Sequence, residues 1–350
     1  MAQRRPAEWI IREWLMEPDN PSVRYWAIRD FGLAEDAAAA RAAIPDSPVV
    51  RKIMARQAEG GYWGDPDSPY LPKYRATYWT LMLLGYLGLS REDERIRRAV
   101  EYILRFQQPN GGFAALSEAQ ARGEYDRQVA RCRARGQPTP DQAAYVADQM
   151  HQQTLSCLTG NIAAALLRFG YGDDAHVQRA LQWLMGVQNA DGGWLCPYWS
   201  AHVRDTHGCM YGTIAALEAF ASVPYDRRPP AMEQAIARGA EFLLMHHLYR
   251  ADHHDMTPIK ADWLTLHFPW FYGYDILRGL WVLNQLGYFV PEEPRLADAL
   301  DVLAGKMTPQ GLWVLEKTPQ GRMWASLERK GAPSKWITLR ALWVMANTLD

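Results

Sequence analysis

The sequence predicts an all-α chain folded as a single (α/α)6 toroid, six outer helices around six inner ones, spanning residues 1–350. Three observations carry that expectation: a Gly-aromatic turn that recurs along the chain, an amphipathic segment before each turn, and an apolar segment after it.

The turns are QAEGGYWG (57–64), QPNGGF (108–113), QNADGGW (188–194) and MTPQGLW (307–313). In each, a polar or flexible residue ends a helix, glycine permits positive φ, and an aromatic side chain follows as a wedge. Before the second turn, DERIRRAVEYILRFQQ puts Ile96, Val100 and Ile103 on one helical face and Arg95, Arg98, Glu101 and Arg105 on the other. A capping box over Ser90–Asp93 is expected to start that helix. After the turns, the segments 157–170, 209–221 and 274–287 are apolar almost all round, which implies burial on every side. Outer helices are therefore expected near 6–16, 46–57, 93–107, 175–187, 231–247 and 295–306. Inner helices are expected near 21–33, 74–88, 153–169, 207–221, 270–287 and 335–348. Three long connections, at about 114–150, 248–269 and 314–334, interrupt the plan. The charged insertion at 114–150 is expected to be a partly mobile flap with Cys132 exposed, and the His/Trp-rich loop at 248–270 a lid that packs rings over the cavity.

Composition narrows the function. The 38 basic and 39 acidic residues nearly cancel, which argues against a nucleic-acid partner. No apolar run is long enough for a transmembrane segment and no signal peptide is visible, so a cytoplasmic location is expected, with peripheral membrane contact left open. Four cysteines in a chain of this size are not a disulfide framework. Fifteen Trp and 17 Tyr suit a repeated wedge or a ring-lined cavity.

The four turns resemble the QW motif of the prenyltransferase and squalene-oxidase repeat superfamily, which includes triterpene cyclases and the β subunits of protein prenyltransferases. The resemblance implies the toroid and an apolar, isoprenoid-like molecule in its central cavity. It also implies a D-x-D-D acid, which this chain lacks: DPDS (65–68) misses the last carboxylate and YGDDAH (171–176) lies in an inner-to-outer connection.

Long connections gather at the rim where inner helices begin, so chemistry is expected there, among converging helix N-termini. Aligning the inner helices on C-x-x-G puts Cys157 and Cys209 in one register, with His207 two residues earlier and Tyr274 and Asp275 at the fifth helix. These residues resemble the prenyltransferase zinc site, permuted, so Cys157, His207, Cys209 and Asp275 are the expected zinc ligands; thiolate, imidazole and carboxylate suit that ion. Solvent-free packing of small cysteines is the competing reading. Asp205, Asp275 and Tyr274 are the candidate acid–base residues. Lys73, Arg75, Lys335 and Trp336, with Lys260 nearby, form a candidate wall for an anionic head group. Three functions fit: a terpene cyclase- or prenyltransferase-like enzyme, a carbohydrate-active toroid using paired carboxylates, or a non-catalytic ring that binds a lipid or peptide.

Overall fold

The computed structural model describes residues 8–202, 204–289, 293–319 and 322–346. Residues 6–7 and 347–348 of the expected terminal helices lie outside them. Inner helices are α1 (Pro21–Asp30), α4 (Thr77–Leu87), α8 (Ser156–Phe169), α10 (Met210–Ala221), α12 (Ile276–Gln285) and α14 (Lys335–Ala346). The outer row is a π-helical turn (Ile10–Trp14), then α3 (Pro48–Met54), α5 (Glu94–Leu104), α9 (Ala175–Gly186), α11 (Pro230–Met245) and α13 (Ala297–Gly305). A short α2 (Ala37–Ala42) fills the connection after α1. Each inner helix packs on the next from α4 to α14 and α14 packs on α1. Trp26 Nε1 donates to Tyr86 O at 2.7 Å, joining α1 to α4, and Trp343 Nε1 donates to Asp30 O at 3.2 Å, so the ring closes. One continuous hydrophobic core runs from Ile10 to Val344.

The turns hold this ring together by a repeated set of hydrogen bonds. Gln57, Gln107 and Gln188 each lie four residues before a positive-φ glycine. Each amide Nε2 donates to that glycine's carbonyl and to a carbonyl of the next outer helix or its start: Arg95, His176 and Ala235, at 2.8, 2.8 and 2.9 Å. The motif thus reads from Gln107 rather than Gln108. The aromatic wedges Trp63, Phe113, Trp194 and Trp313 are buried. Their backbone N–H groups donate to Thr77, Thr159, Thr213 and Thr338 of the following inner helix, at 2.9–3.0 Å. At Gly192, with φ near +93°, an added Cβ would stand 2.4 Å from Arg238 O, so only glycine fits. Gly160 similarly lets α8 close on α10, where a Cβ would meet Ala215 O at 2.5 Å.

Several expectations are corrected by the structure. The insertion is a helical hairpin, α6 (Glu118–Ala134) and α7 (Gln142–Gln152), started by a Ser117/Gln120 capping box, and Cys132 is buried in it. Asp93, not a Ser90 box, caps α5 by accepting from Arg95 N at 2.9 Å. The bore holds charge instead of an empty apolar cavity. Buried Glu218 takes the Arg278 guanidinium (2.7 Å from Nε), the Tyr86 hydroxyl (2.8 Å) and Arg168. Arg340 is enclosed by the rings of Tyr86, Phe268, Trp270, Trp281 and Trp336, 4.9–5.8 Å away. The 248–270 lid supplies two of those rings, so it plugs the bore rather than covering it.

Candidate functional site

The rim where the inner helices begin gathers thiols, tyrosines and lysines. Cys157 is the second residue of α8, whereas Cys209 is the residue that caps α10. Relative to the shared threonines the two thiols are therefore two residues apart, and the C-x-x-G register does not hold. They nonetheless face a common space, because Cys196 joins them from the turn after Trp194. Cys196 lies 3.8 Å from Ser156 Oγ. The hydrogen bond from the Cys157 thiol, then Ser156 and the N–H groups opening α8, outweigh burial and pull the Cys196 thiol down to about 6. The same contact with Cys196, and then burial, raises Cys157 well above a normal thiol. Burial also raises Cys209.

The zinc set implied by resemblance does not assemble. Asp275 is fully buried and accepts from Arg278 N (2.8 Å), His267 N (2.9 Å) and, with both oxygens, Trp270 Nε1 (3.2 Å). As the capping residue of α12 it has no lone pair to spare for a metal beside the thiols. His207 points instead to Phe242, His246 and His253. Nor is Asp275 a free acid: its oxygens cap α12 and hold the backbone N–H of His267. Tyr274 is buried and its hydroxyl donates to Leu248 O at 2.7 Å, with burial raising it well above a normal phenol. Asp205 is exposed on the loop before α10.

The expected anion wall divides. Lys335 clasps Glu17 and Asp19 (3.3 Å) of the first unit and serves ring closure. Trp336 is buried and stacks on Phe268 at 4.6 Å. Arg75 lies over Trp324, whose Nε1 donates to Arg75 O at 2.8 Å. Lys73 stays at the rim, 4.9 Å from the ring of Tyr272, and Lys260 stands 5.1 Å from the ring of Tyr211. Those two tyrosines face one another at 6.3 Å.

Beside them opens a cavity of about 400 Å³, a size that suits a small ligand. Tyr74, Tyr211, Trp270, Phe271 and Tyr272 line it with rings, and Asp262, His267, Lys317 and Arg322 add polar groups. Asp262 is paired with Lys317. His267 Nδ1 faces Thr265 O at 3.4 Å and lies 2.9 Å from Asp275 Oδ2, which leaves Nε2 for the cavity; Gly273 makes the room, since a Cβ there would meet Nε2 at 2.5 Å. A larger groove of about 920 Å³ lies against the inserted hairpin and has none of these ionisable side chains in its lining. Sequence reading missed His267 and Cys196. Only the second offered a cue, as a thiol two residues past a repeat tryptophan.

Residues 89–246 match the family described as the squalene-hopene cyclase C-terminal domain. Among solved structures, apo type II terpene cyclase MstE from Scytonema is 18% identical at a TM-score of 0.44, over 94% of this chain and 87% of that one. An arginine-to-alanine variant of MstE in complex with geranylgeranyl dihydroxybenzoate, its substrate, is 17% identical at 0.44, over 94% and 86%. An aspartate-to-alanine variant in complex with merosterolic acid A, the product, is 17% identical at 0.43, over the same shares. A search of curated protein sequences finds no match. In its repeated turns, its closed ring of paired helices and its match over 89–246, the chain resembles the terpene cyclase-like superfamily of α/α toroids.

Proposed function

We propose that the chain binds an isoprenoid-type molecule in the rim cavity and moves a proton on it through His267. The observation that carries this reading is a ring-lined cavity of about 400 Å³ bearing an imidazole whose other nitrogen lies 2.9 Å from a buried carboxylate. The apolar body would lie on Tyr74, Tyr211, Phe271 and Tyr272, whose faces favour a cationic carbon. A polar or anionic end would meet Lys73 and Lys260. An imidazole is too weak an acid for an unactivated alkene, but it suits removal of a proton beside the allylic cation left when a diphosphate, held by Lys73 and Lys260, departs with the bonding electron pair; that route needs no D-x-D-D. Paired carboxylates, which the carbohydrate reading needs, are not offered by this cavity: Asp262 is paired and Asp275 is saturated. The plugged bore favours the second reading, a ring that holds a lipid without turning it over.

Incubation with farnesyl and geranylgeranyl diphosphates and squalene, with products identified by mass spectrometry, tests the proposal. Conversion of one of them is expected, slowed about 10²- to 10⁴-fold in His267→Ala with binding retained. Binding without conversion selects the second reading, and equal rates in the variant would remove His267 from the chemistry.

A further inference from the structure

We infer a divalent transition-metal site, apart from the rim thiols and independent of the isoprenoid reading, formed by His207, His246 and Asp252. Among the described residues these three are the group of His, Cys, Asp and Glu donors whose ligand atoms all lie within 4.8 Å of one another. They come from three separate pieces of chain. His207 precedes α10, and His246 caps the C-terminal end of α11. Asp252 sits at the turn of a small hairpin, β1 (Arg250–Ala251) paired with β2 (Thr257–Pro258).

Proton placement is what points to a cation. His246 is buried, and its Nδ1 lies 2.7 Å from Phe242 O. A carbonyl only accepts, so Nδ1 carries a proton, and the lone pair that the imidazole can offer a metal is at Nε2. That Nε2 faces Asp252 Oδ1 at 3.3 Å. A proton alone would make this an imidazolium–carboxylate pair; the third donor, His207, converging on the same point is what favours a metal ion. His207 repeats the arrangement: its Nδ1 lies 2.9 Å from Gly208 O, which fixes the same tautomer and frees Nε2. An imidazole whose far nitrogen is held by a carbonyl is the usual outer support of a metal-binding histidine. The supports are themselves anchored, because Asp191 of the third turn accepts from Gly208 N at 2.5 Å and from Gly193 N at 3.0 Å. His253 stands at the edge, 3.3 Å from Asp252 Oδ2, with its ring 5.6 Å from that of His207.

Two imidazoles and one carboxylate select zinc-class ions over Mg²⁺ or Ca²⁺, which prefer all-oxygen shells. Three protein ligands leave a coordination position, and exposed His207 puts it within reach of solvent. A bound ion would also tie the β1–β2 hairpin to the start of α10, two residues before Cys209.

The test uses the full chain stripped with chelator. Co²⁺ is titrated in while visible absorption is followed, and Zn²⁺ binding is measured by calorimetry. One equivalent is expected to bind with d–d bands and no sulfur-to-cobalt charge-transfer band. His207→Ala and Asp252→Asn are each expected to weaken binding at least about 10-fold, while Cys209→Ser leaves it unchanged. Circular dichroism checks the fold, and if Asp252→Asn unfolds, the exposed His207 decides alone. No saturable binding, a thiolate band, or His207→Ala binding like the parent chain would overturn the site.

Discussion

Glu218→Gln is expected to cost the ring about 3–5 kcal/mol of stability, because it leaves buried guanidinium groups without their carboxylate. Glu218 is 1% exposed and Arg278 is fully buried. Together they link three inner helices: Arg278 on α12, Glu218 on α10, and Asn161 on α8, which accepts from Arg278 at 2.7 Å. Tyr86 brings in α4. The amide keeps the shape and removes the charge, so packing cannot account for the loss. Burial alone would raise the Glu218 carboxyl, but attraction to Arg278 and Arg168 wins and holds it at about 2, below its ordinary 4.5. A depressed carboxylate stabilises the fold above the unfolded value and loses that contribution as pH falls from 4.5 towards 2. Denaturant melts of both proteins across pH 2–7 should therefore converge at the acid end. Parallel curves, with a constant gap down to pH 2, would mean that charge is not what Glu218 supplies.

Asp30 is expected to behave in the opposite sense. It is half-buried at the end of the bore away from the rim, in a small cavity it shares with Arg340 and Trp343. Burial raises its carboxyl to about 6, against weaker pulls downward from Arg29 and Arg340. A raised carboxyl favours the fold below its unfolded value near 3.8, and that contribution is lost as pH rises through 6. At neutral pH the charged group is a cost, so Asp30→Asn is expected to stabilise the chain by about 2 kcal/mol at pH 7.5, with solvent screening allowed for, and to have little effect at pH 4. Thermal melts at the two pH values decide it. Destabilisation at pH 7.5 would show that the Arg340 pairing outweighs desolvation.

The ring was legible because two periodicities alternate. Half-apolar outer segments such as 94–104 and inner ones apolar almost all round, such as 210–221 with its single Glu218, can coexist only in two concentric layers. The turn pattern was legible too, but its register was not. Gln107 and Gln108 are adjacent, and only the bond to His176 shows which of them reaches the next outer helix. The threonines that receive the wedge N–H groups had no cue, since threonine is common inside helices for other reasons.

The site was less legible because its residues meet across units. Asp275 before ILRG carries the pattern of a helix cap, and that local role consumed the carboxylate expected to do chemistry. Cysteine spacing suggested a shared register, whereas the thiols converge from unlike positions, with Cys196 supplied by a turn. His207 was expected to bind beside the thiols. Its rotamer, set by the Gly208 carbonyl, turns it towards α11. Such choices depend on which backbone carbonyl is nearest, and that is fixed only when the ring closes.

Ligands are expected to enter at the inner-helix N-terminal rim while the bore stays closed. Hydrogen–deuterium exchange with and without geranylgeranyl diphosphate tests it most directly. Slower exchange is predicted in 70–76 and 260–274, with no change in 142–154 beside the larger groove. Protection of 142–154 instead, or protection nowhere at saturating ligand, would contradict it.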